Sequence, residues 1–424
     1  MADTQKLTFA IPDYNEISQL HLQQEVVLSS LVKHSPELEL LIALARVELP
    51  LADQSRVNLL ISQPLDEDRL LALAADHGLE PLLFHHLSGP NSAGLSERAM
   101  QSLRQASRIT AQRAMILASR LQAISDHLES RGLKHAVYKG PLFAETYYGN
   151  CALRVFHDLD VIVPPKDLLS ARHALSEIGF VDKYGLSSNQ QAASFRFGSQ
   201  HLFTSPDALD LDLHWRVVPK SVSRSLDVRG IWQRVSMAPF LGHQVPTFCP
   251  EDMLVVLCLH AGQHEWARLS TLCDIAQLSA SHPQLNWDIV RSHLRDSNTT
   301  RMVYVSLYLL SQNWTVDLPP DLAAGINADP TIAEFAAKVQ SELWPAPALE
   351  PSMQSNLRWL LARTKGEALG DRMRFLTGTI LGPTLIDFET FKLPRLLIPL
   401  YPLLRALRLA FKYITNPQTE KAHA

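Results

Sequence analysis

The sequence predicts an α+β protein in which a small mixed sheet is embedded in a largely helical chain. Short apolar segments with alternating polar residues, at 158–163 and 200–217, predict strands. Longer segments with helical periodicity precede and follow them. The 424 residues are enough for two or three domains, and 46% of them are hydrophobic, as in an ordinary globular protein.

The N-terminal part is predicted to be helical after a loose tail at 1–16. The region 17–95 has several short helical patterns, and a long helix is predicted from Ser96 to Ser130, ended by Gly132. Its predicted apolar stripe is Leu103, Ile109, Met115, Leu117, Leu121, Ile124 and Leu128.

The region 96–220 is predicted to form the core that contains the sheet. After the long helix come a strand at 135–138, a helix at 142–148, the strand at 158–163 and a helix at 166–178. An irregular loop is predicted at 183–200, followed by a hairpin of strands 200–204 and 209–217. Two further regions, 221–315 and 316–424, are predicted to be mostly helical.

Acidic residues alternate with apolar ones along two of the predicted strands. Asp158 and Asp160 project to one face of the first strand, and Asp210, Asp212 and His214 share one face of the second. Adjacent carboxylates repel one another, and a divalent cation with a preference for oxygen ligands, such as Mg²⁺, relieves that repulsion. If the strands are neighbours, they form the three-carboxylate cluster that a two-metal phosphoryl-transfer site needs.

The ordered set of motifs resembles the nucleotidyltransferase superfamily with the DNA polymerase β-like fold, and within it a bacterial group of nucleotidyltransferase family proteins. The resemblance spans roughly residues 35–415. The matching segments are Lys139-Gly140, Tyr148, Arg154, Asp158–Val163, Asp212–Arg216, Pro250–Leu254, His260 to Asp274, Leu393-Pro394, Tyr401 and Arg405–Leu409.

This resemblance implies a site for an NTP and two Mg²⁺ ions, held by Asp158, Asp160 and Asp212. Both Asp210 and Asp212 are candidates for the third carboxylate by periodicity, and the resemblance favours Asp212. In this interpretation Asp212 is also a candidate general base for the acceptor hydroxyl.

Four further residues are candidates for nucleotide binding. Gly140 would let the backbone approach the phosphates, and Lys139 and Arg154 are candidate phosphate ligands. His214 would orient Asp212, contact the nucleotide or make a structural hydrogen bond.

Two other patterns allow more than one interpretation. His260 and His264 have the spacing of a zinc pair, but residue 261 is Ala where a metalloprotease motif has Glu, so we favour a structural or cleft-lining role. Arg405, Arg408 and Lys412 share one face of an apolar C-terminal helix. A packed helix with a solvated basic face is favoured there over contact with a membrane surface.

Composition and charge limit the classes of partner and the compartment that we expect. The formal charge of −4 gives no global basic field for nucleic acid, so nucleic acid is not expected as a partner. The four cysteines form no C-x-x-C pair, and residues 1–15 lack the order of a signal peptide, so we expect a cytoplasmic protein.

The predicted function is therefore Mg²⁺-dependent transfer of a nucleoside monophosphate from an NTP to an acceptor that the sequence does not identify, such as a small molecule, a peptide or a protein. The alternative is a nucleotide-binding sensor or scaffold without turnover, and a third hypothesis is a toxin nucleotidyltransferase.

Overall fold

The computed structural model describes residues 34–88, 94–219, 222–223, 226–295, 297–314, 316–346, 364–365 and 369–415. The predicted tail at 1–16 and the first part of the region 17–95 lie outside the described residues. Four short helices open the described chain: α1 (Pro36–Leu44), α2 (Leu51–Ile61), α3 (Glu67–His77) and α4 (Glu80–Leu87).

The long helix is confirmed as α5 (Glu97–Ser130). Ser96 is its N-cap, and the Ser96 hydroxyl accepts a hydrogen bond from the Ala99 amide. The predicted stripe is wrong at Ile109 and Met115, whose side chains are exposed. The buried face at this level includes Ala114, because 3.6-residue periodicity counted back from Leu117 and Leu121 passes through 114 rather than 115.

A five-stranded sheet with the strand order β1-β2-β5-β4-β3 follows this helix. Among the described strands, β2 and β5 pair in parallel and the other neighbours pair antiparallel, which makes it the mixed sheet that the sequence predicts. The strands are β1 (Ala136–Val137), β2 (Asp158–Ile162), β3 (Val181–Asp182), β4 (Gln200–Thr204) and β5 (Asp210–His214).

The helices between these strands match the predictions in part. A short helix, α6 (Gly140–Phe143), continues as a wider π-helical turn over Ala144–Tyr148, and α7 (Leu168–Glu177) follows β2. The loop predicted at 183–200 is wrong, because α8 (Ser188–Phe197) lies there. A capping box between Ser187 and Gln190 starts this helix, and it compensates for a polar composition that is typical of loops.

The region after the sheet is mostly helical, as predicted, but it contains a two-stranded hairpin that the sequence pattern missed. This hairpin is β6 (Ser236–Phe240) and β7 (His243–Thr247), and the Thr247 hydroxyl donates to the Val137 carbonyl of β1. The helices are α9 (Val228–Gln233), α10 (Pro250–Gln263), α11 (Leu269–Ser281), α12 (Trp287–His293), α13 (Ser297–Asn313), α14 (Pro320–Asn327), α15 (Pro330–Lys338), α16 (Leu369–Leu381), α17 (Leu385–Thr390) and α18 (Tyr401–Thr415).

Two large hydrophobic clusters organise the packing. One contains the apolar face of the sheet, with Leu159 and Leu213, packed against the long helix α5 at Leu121. The other joins the N-terminal helices, at Leu41, to α10 at Leu254 and to the helices that follow. The N-terminal helices and the helices after the sheet therefore share one core, while the predicted domain bounds at 95, 220 and 315 stay a prediction.

The C-terminal helix α18 directs the side chains of Arg405 and Arg408 inward rather than to solvent, while the side chain of Lys412 lies outside the described residues. Arg405 Nη1 lies 3.1 Å and Arg408 Nε 2.6 Å from the carboxylate of Asp387, which is fully buried. The expectation of a solvated basic face is therefore wrong for Arg405 and Arg408, because both side chains pair with the buried Asp387 on α17. In the described part of the chain, none of the helices combines the length and apolarity that a bilayer crossing requires.

We predict that Leu213→Ala destabilises the protein by about 2–5 kcal/mol, because it leaves a cavity behind the sheet. Leu213 is fully buried, whereas Leu59 on α2 is 62% exposed. The control Leu59→Ala should change the free energy of unfolding by no more than about 0.5 kcal/mol. Chemical denaturation checks both variants, and equal destabilisation by the two would contradict the packing described here.

Candidate active site

The parallel register of β2 and β5 brings the predicted acids together. Asp158 is paired with Asp210 and Asp160 with Asp212, so carboxylates from neighbouring strands project to the same face. Asp158, Asp160 and Asp212 all line one cleft with a volume of about 660 Å³. The opposite face of the same two strands is the buried leucine and valine face, which fixes the orientation of the acids.

Asp160 lies at the centre of the acidic group and is buried. Its Oδ1 is 3.0 Å from Nε2 of His214 and 3.7 Å from Nζ of Lys139. Burial alone would raise the pKa of Asp160, but Lys139 and His214 overcome this effect and hold the pKa well below its ordinary value. Asp160 is therefore an ionised carboxylate within the protein interior.

The pKa of Asp212 is shifted in the opposite direction to that of Asp160. Burial and the nearby charges of Asp160 and Asp158 raise its pKa to about 7. Its Oδ2 accepts a hydrogen bond of 2.6 Å from Nε2 of Gln200, which begins the neighbouring strand β4. The pKa of Asp158 is raised as well, by burial and by Asp160. The cluster thus holds more negative charge than its own cations neutralise.

The donor set is compatible with a divalent cation. One ligand atom each from Asp160, Asp212 and His214 lies within 4.8 Å of the others. Asp158 lines the same cleft without belonging to that tighter group. A cation among these ligand atoms would remove the repulsion that raises the pKa of Asp212, so the crowding is compatible with a cation site.

Asp210 forms an ion pair outside the acidic cluster. Lys183, next to β3, donates from Nζ to Oδ2 of Asp210 at 2.7 Å, and both side chains are partly exposed. Because this contact neutralises Asp210 at the β3 side of the sheet, the geometry favours Asp212 as the third carboxylate.

Lys139 and Gly140 lie where β1 leads into α6. Gly140 has φ +61°, in the left-handed region, and a Cβ there would lie 3.6 Å from the Asp158 carbonyl. The space would allow a side chain, so the backbone conformation is what favours glycine. The Lys139 ammonium donates to Nδ1 of His260 at 3.2 Å and also approaches Asp160.

His260 and His264 form part of the opposite wall of the cleft. Their rings are 4.6 Å apart in an edge-to-face arrangement at the end of α10. Burial and the Lys139 charge hold the pKa of His260 well below its ordinary value, so its imidazole is neutral and can accept from Lys139. The cleft-lining role is confirmed by position, and among the described residues no zinc-type cluster contains either histidine.

Arg154 binds an acid from another part of the chain. Its Nε and Nη2 donate to the two carboxylate oxygens of Asp274 on α11, each at 2.7 Å. The Tyr148 hydroxyl donates to the same carboxylate at 2.7 Å. This buried contact joins the sheet side of the cleft to the helical side, and a phosphate contact by Arg154 stays a prediction.

Two cleft residues were missed from the sequence. Gln200 is a hydrogen-bond donor to Asp212, and Tyr138 has a buried hydroxyl with no hydrogen-bond partner among the described residues. Burial and the charges of Asp160, Asp212 and Asp158 raise the pKa of Tyr138 well above its ordinary value. The available signal for Tyr138 was its place directly before Lys139-Gly140, immediately after β1.

Comparison with known proteins gives a structural likeness and a family match. Among solved structures, the chain is similar to an antigenic nucleotidyltransferase-like protein from Paracoccidioides brasiliensis, with 17% identity over 52% of this chain and 94% of that one. The TM-score of 0.31 makes this likeness too weak to support an argument. No curated protein matches the chain significantly. A family model described as "Uncharacterised nucleotidyltransferase" matches residues 63–315, which is more than half of the chain. The chain therefore belongs to this nucleotidyltransferase family.

Proposed function

We propose that this protein is a Mg²⁺-dependent nucleotidyltransferase that moves a nucleoside monophosphate from an NTP to a hydroxyl or phosphate acceptor. The observation that carries the proposal is the parallel pairing of β2 and β5, which directs Asp158, Asp160 and Asp212 into one cleft. Family membership supports the reaction class, and the acidic cluster supports the use of a divalent cation.

Asp158, Asp160 and Asp212 would hold the cations, and we propose two ions as in other two-metal sites. Bound Mg²⁺ would neutralise the charge that develops on the α-phosphate and on the pyrophosphate leaving group, and would lower the pKa of the acceptor hydroxyl. The protein keeps Asp160 ionised for this purpose through His214 and Lys139.

The remaining cleft residues would orient the substrates. Gln200 fixes one carboxylate oxygen of Asp212, so that Asp212 is positioned to accept the proton of the acceptor. The Lys139 ammonium, held by His260, would attract the triphosphate, and the left-handed backbone at Gly140 lies beside Asp158 in the same cleft.

The first test is pyrophosphate release with Mg²⁺, an NTP and a cell lysate as the source of acceptor, with transfer of label from an α-labelled NTP measured in parallel. Asp160→Asn should lower the rate about a hundredfold or more, because it removes a carboxylate that would hold the cations neutralising the reacting phosphates. The matched variant is Asp210→Asn, on the strand next to Asp160. It should retain activity, because Asp210 is paired with Lys183.

Two outcomes would contradict the proposal. Full activity of Asp160→Asn would refute the assignment of the site. An NTP that binds in calorimetry but is never consumed would instead support the nucleotide sensor or scaffold.

We predict that Lys139→Gln raises the KM for the NTP about tenfold or more with a smaller change in kcat, since the charge acts mainly on the bound phosphates. Lys134→Gln is the control, because the Lys134 ammonium donates to the Trp232 carbonyl outside the cleft. Steady-state kinetics with varied NTP measures both variants, and an equal KM for the two would refute a phosphate role for Lys139.

We also predict that Asp212→Asn stabilises the metal-free protein at about pH 8 by about 1–2 kcal/mol, a value reduced for solvent screening at this partly exposed side chain. The folded-state pKa of Asp212, about 7, lies above its unfolded-state value. The folded wild type therefore binds the proton more tightly, and its stability falls as the pH rises through this interval. The advantage of the variant should vanish below the unfolded-state pKa.

Thermal unfolding with a chelator, at several pH values, measures this effect. Added Mg²⁺ should then raise the unfolding temperature of the wild type more than that of Asp212→Asn, because it binds the folded cluster. A pH-independent difference between the two proteins would show that Asp212 does not experience the repulsion described above.

A further inference from the structure

The C-terminal segment presents a row of leucines to solvent. Leu396 is 91% exposed, and Leu403 and Leu407, one helical turn apart on α18, are 58% and 57% exposed. Leu397 and Leu400, in the 3₁₀ turn Arg395–Leu400 that leads into α18, are also exposed. Clustered apolar exposure of this kind marks an interaction site rather than an ordinary protein surface.

Buried polar contacts hold the segment in this orientation. Arg405 and Arg408 direct their side chains to the buried Asp387, and Arg405 Nε also donates to the Ile380 carbonyl at 2.7 Å. On the same inner side, the fully buried Tyr401 donates from its hydroxyl to the Phe391 carbonyl at 2.6 Å. Rotating α18 to cover its leucines would leave the charge of Asp387 buried and unpaired, at high cost.

The charge of this segment identifies the chemistry of its partner. No acidic residue occurs between Glu389 and Glu420, whereas the chain as a whole has a net charge of −4. Of the basic residues in this interval, Arg405 and Arg408 pair with Asp387, so the surface charge is argued from Lys392 and Arg395. Lys392 and Arg395 are exposed directly before the leucine row. Exposed leucines with adjacent cations are the pattern of helices that lie in the interface of an anionic bilayer.

We propose that the segment 392–411 docks on the surface of an anionic lipid membrane, with Leu396, Leu403 and Leu407 inserted at the level of the headgroups. A second copy of the chain fits this surface less well, since a two-fold contact would bring the same cationic segment against itself. The contact is peripheral, and it is independent of the function proposed for the cleft.

Vesicle flotation of the full-length protein tests this proposal. The protein should float with vesicles of phosphatidylcholine and phosphatidylglycerol and much less with phosphatidylcholine alone. The double variant Leu403→Gln/Leu407→Gln should lower the bound fraction about tenfold, because it removes the inserted apolar area. The matched control is Leu51→Gln/Leu59→Gln, which changes two leucines on α2 that are 83% and 62% exposed.

A second pair of variants isolates the charge. Lys392→Gln/Arg395→Gln should lower binding to the anionic vesicles roughly fivefold or more, and high ionic strength should weaken wild-type binding in the same way. The control Arg104→Gln/Arg108→Gln removes two exposed cations from α5. Circular dichroism and the unfolding temperature establish that each variant is folded.

Three results would overturn the proposal: no flotation of the wild type at low ionic strength, equal flotation of the leucine variant and its control, or a dimer in sedimentation that depends on Leu403 and Leu407 while flotation is absent. The last result would assign the leucine row to a second copy of the chain. Because flotation requires neither NTP nor turnover, failure here leaves the nucleotidyl-transfer proposal intact, and inactivity of the cleft leaves this one intact.

Discussion

Electrostatic repulsion across one pair of parallel strands is the constraint on which the rest of the cleft depends. The β2–β5 register sets Asp160 beside Asp212 on a face that is partly removed from water. The protein offsets only part of this charge, through the Lys139 ammonium and a hydrogen bond from His214 around Asp160. Asp212 and Asp158 are left with raised pKa values. The charge of the cluster is thus only partly balanced within the protein, which is compatible with the cation proposed above.

A second buried acid shows the contrasting case. Asp387 accepts from Arg405, Arg408 and the Thr384 hydroxyl, so its charge is satisfied within the protein. Although burial alone would raise the pKa of Asp387, these hydrogen bonds hold it below its ordinary value. The effect of this acid is on orientation, because it determines which face of α18 meets the protein and which meets the surroundings.

The features that the sequence predicted correctly are those with a local pattern. Alternation placed Asp158 and Asp160 on one face, and the turn at 205–208 defined the hairpin of β4 and β5. Helix α8 was missed because its composition is polar and its start depends on a capping box, a signal weaker than apolar periodicity.

Contacts between residues distant in sequence left no local pattern to read. The pairing of Arg154 with Asp274 and the choice between Asp210 and Asp212 depend on partners that only the folded chain brings near. The inward direction of Arg405 and Arg408 has the same origin, because periodicity defines a face but not the side of the protein that it meets. The sequence therefore identifies charged residues with a regular pattern better than it predicts which residues they contact.

The long-range nature of the cleft has a consequence for synthesis on the ribosome. Parallel pairing of β2 with β5 has to wait until the chain beyond His214 has emerged, and the Arg154–Asp274 contact waits for sixty further residues, the difference between positions 214 and 274. Until then, Asp160 lacks its contact with His214 and Arg154 lacks its contact with Asp274. The metal and nucleotide site proposed for this cleft would therefore be completed only late in synthesis, after residue 274 has emerged.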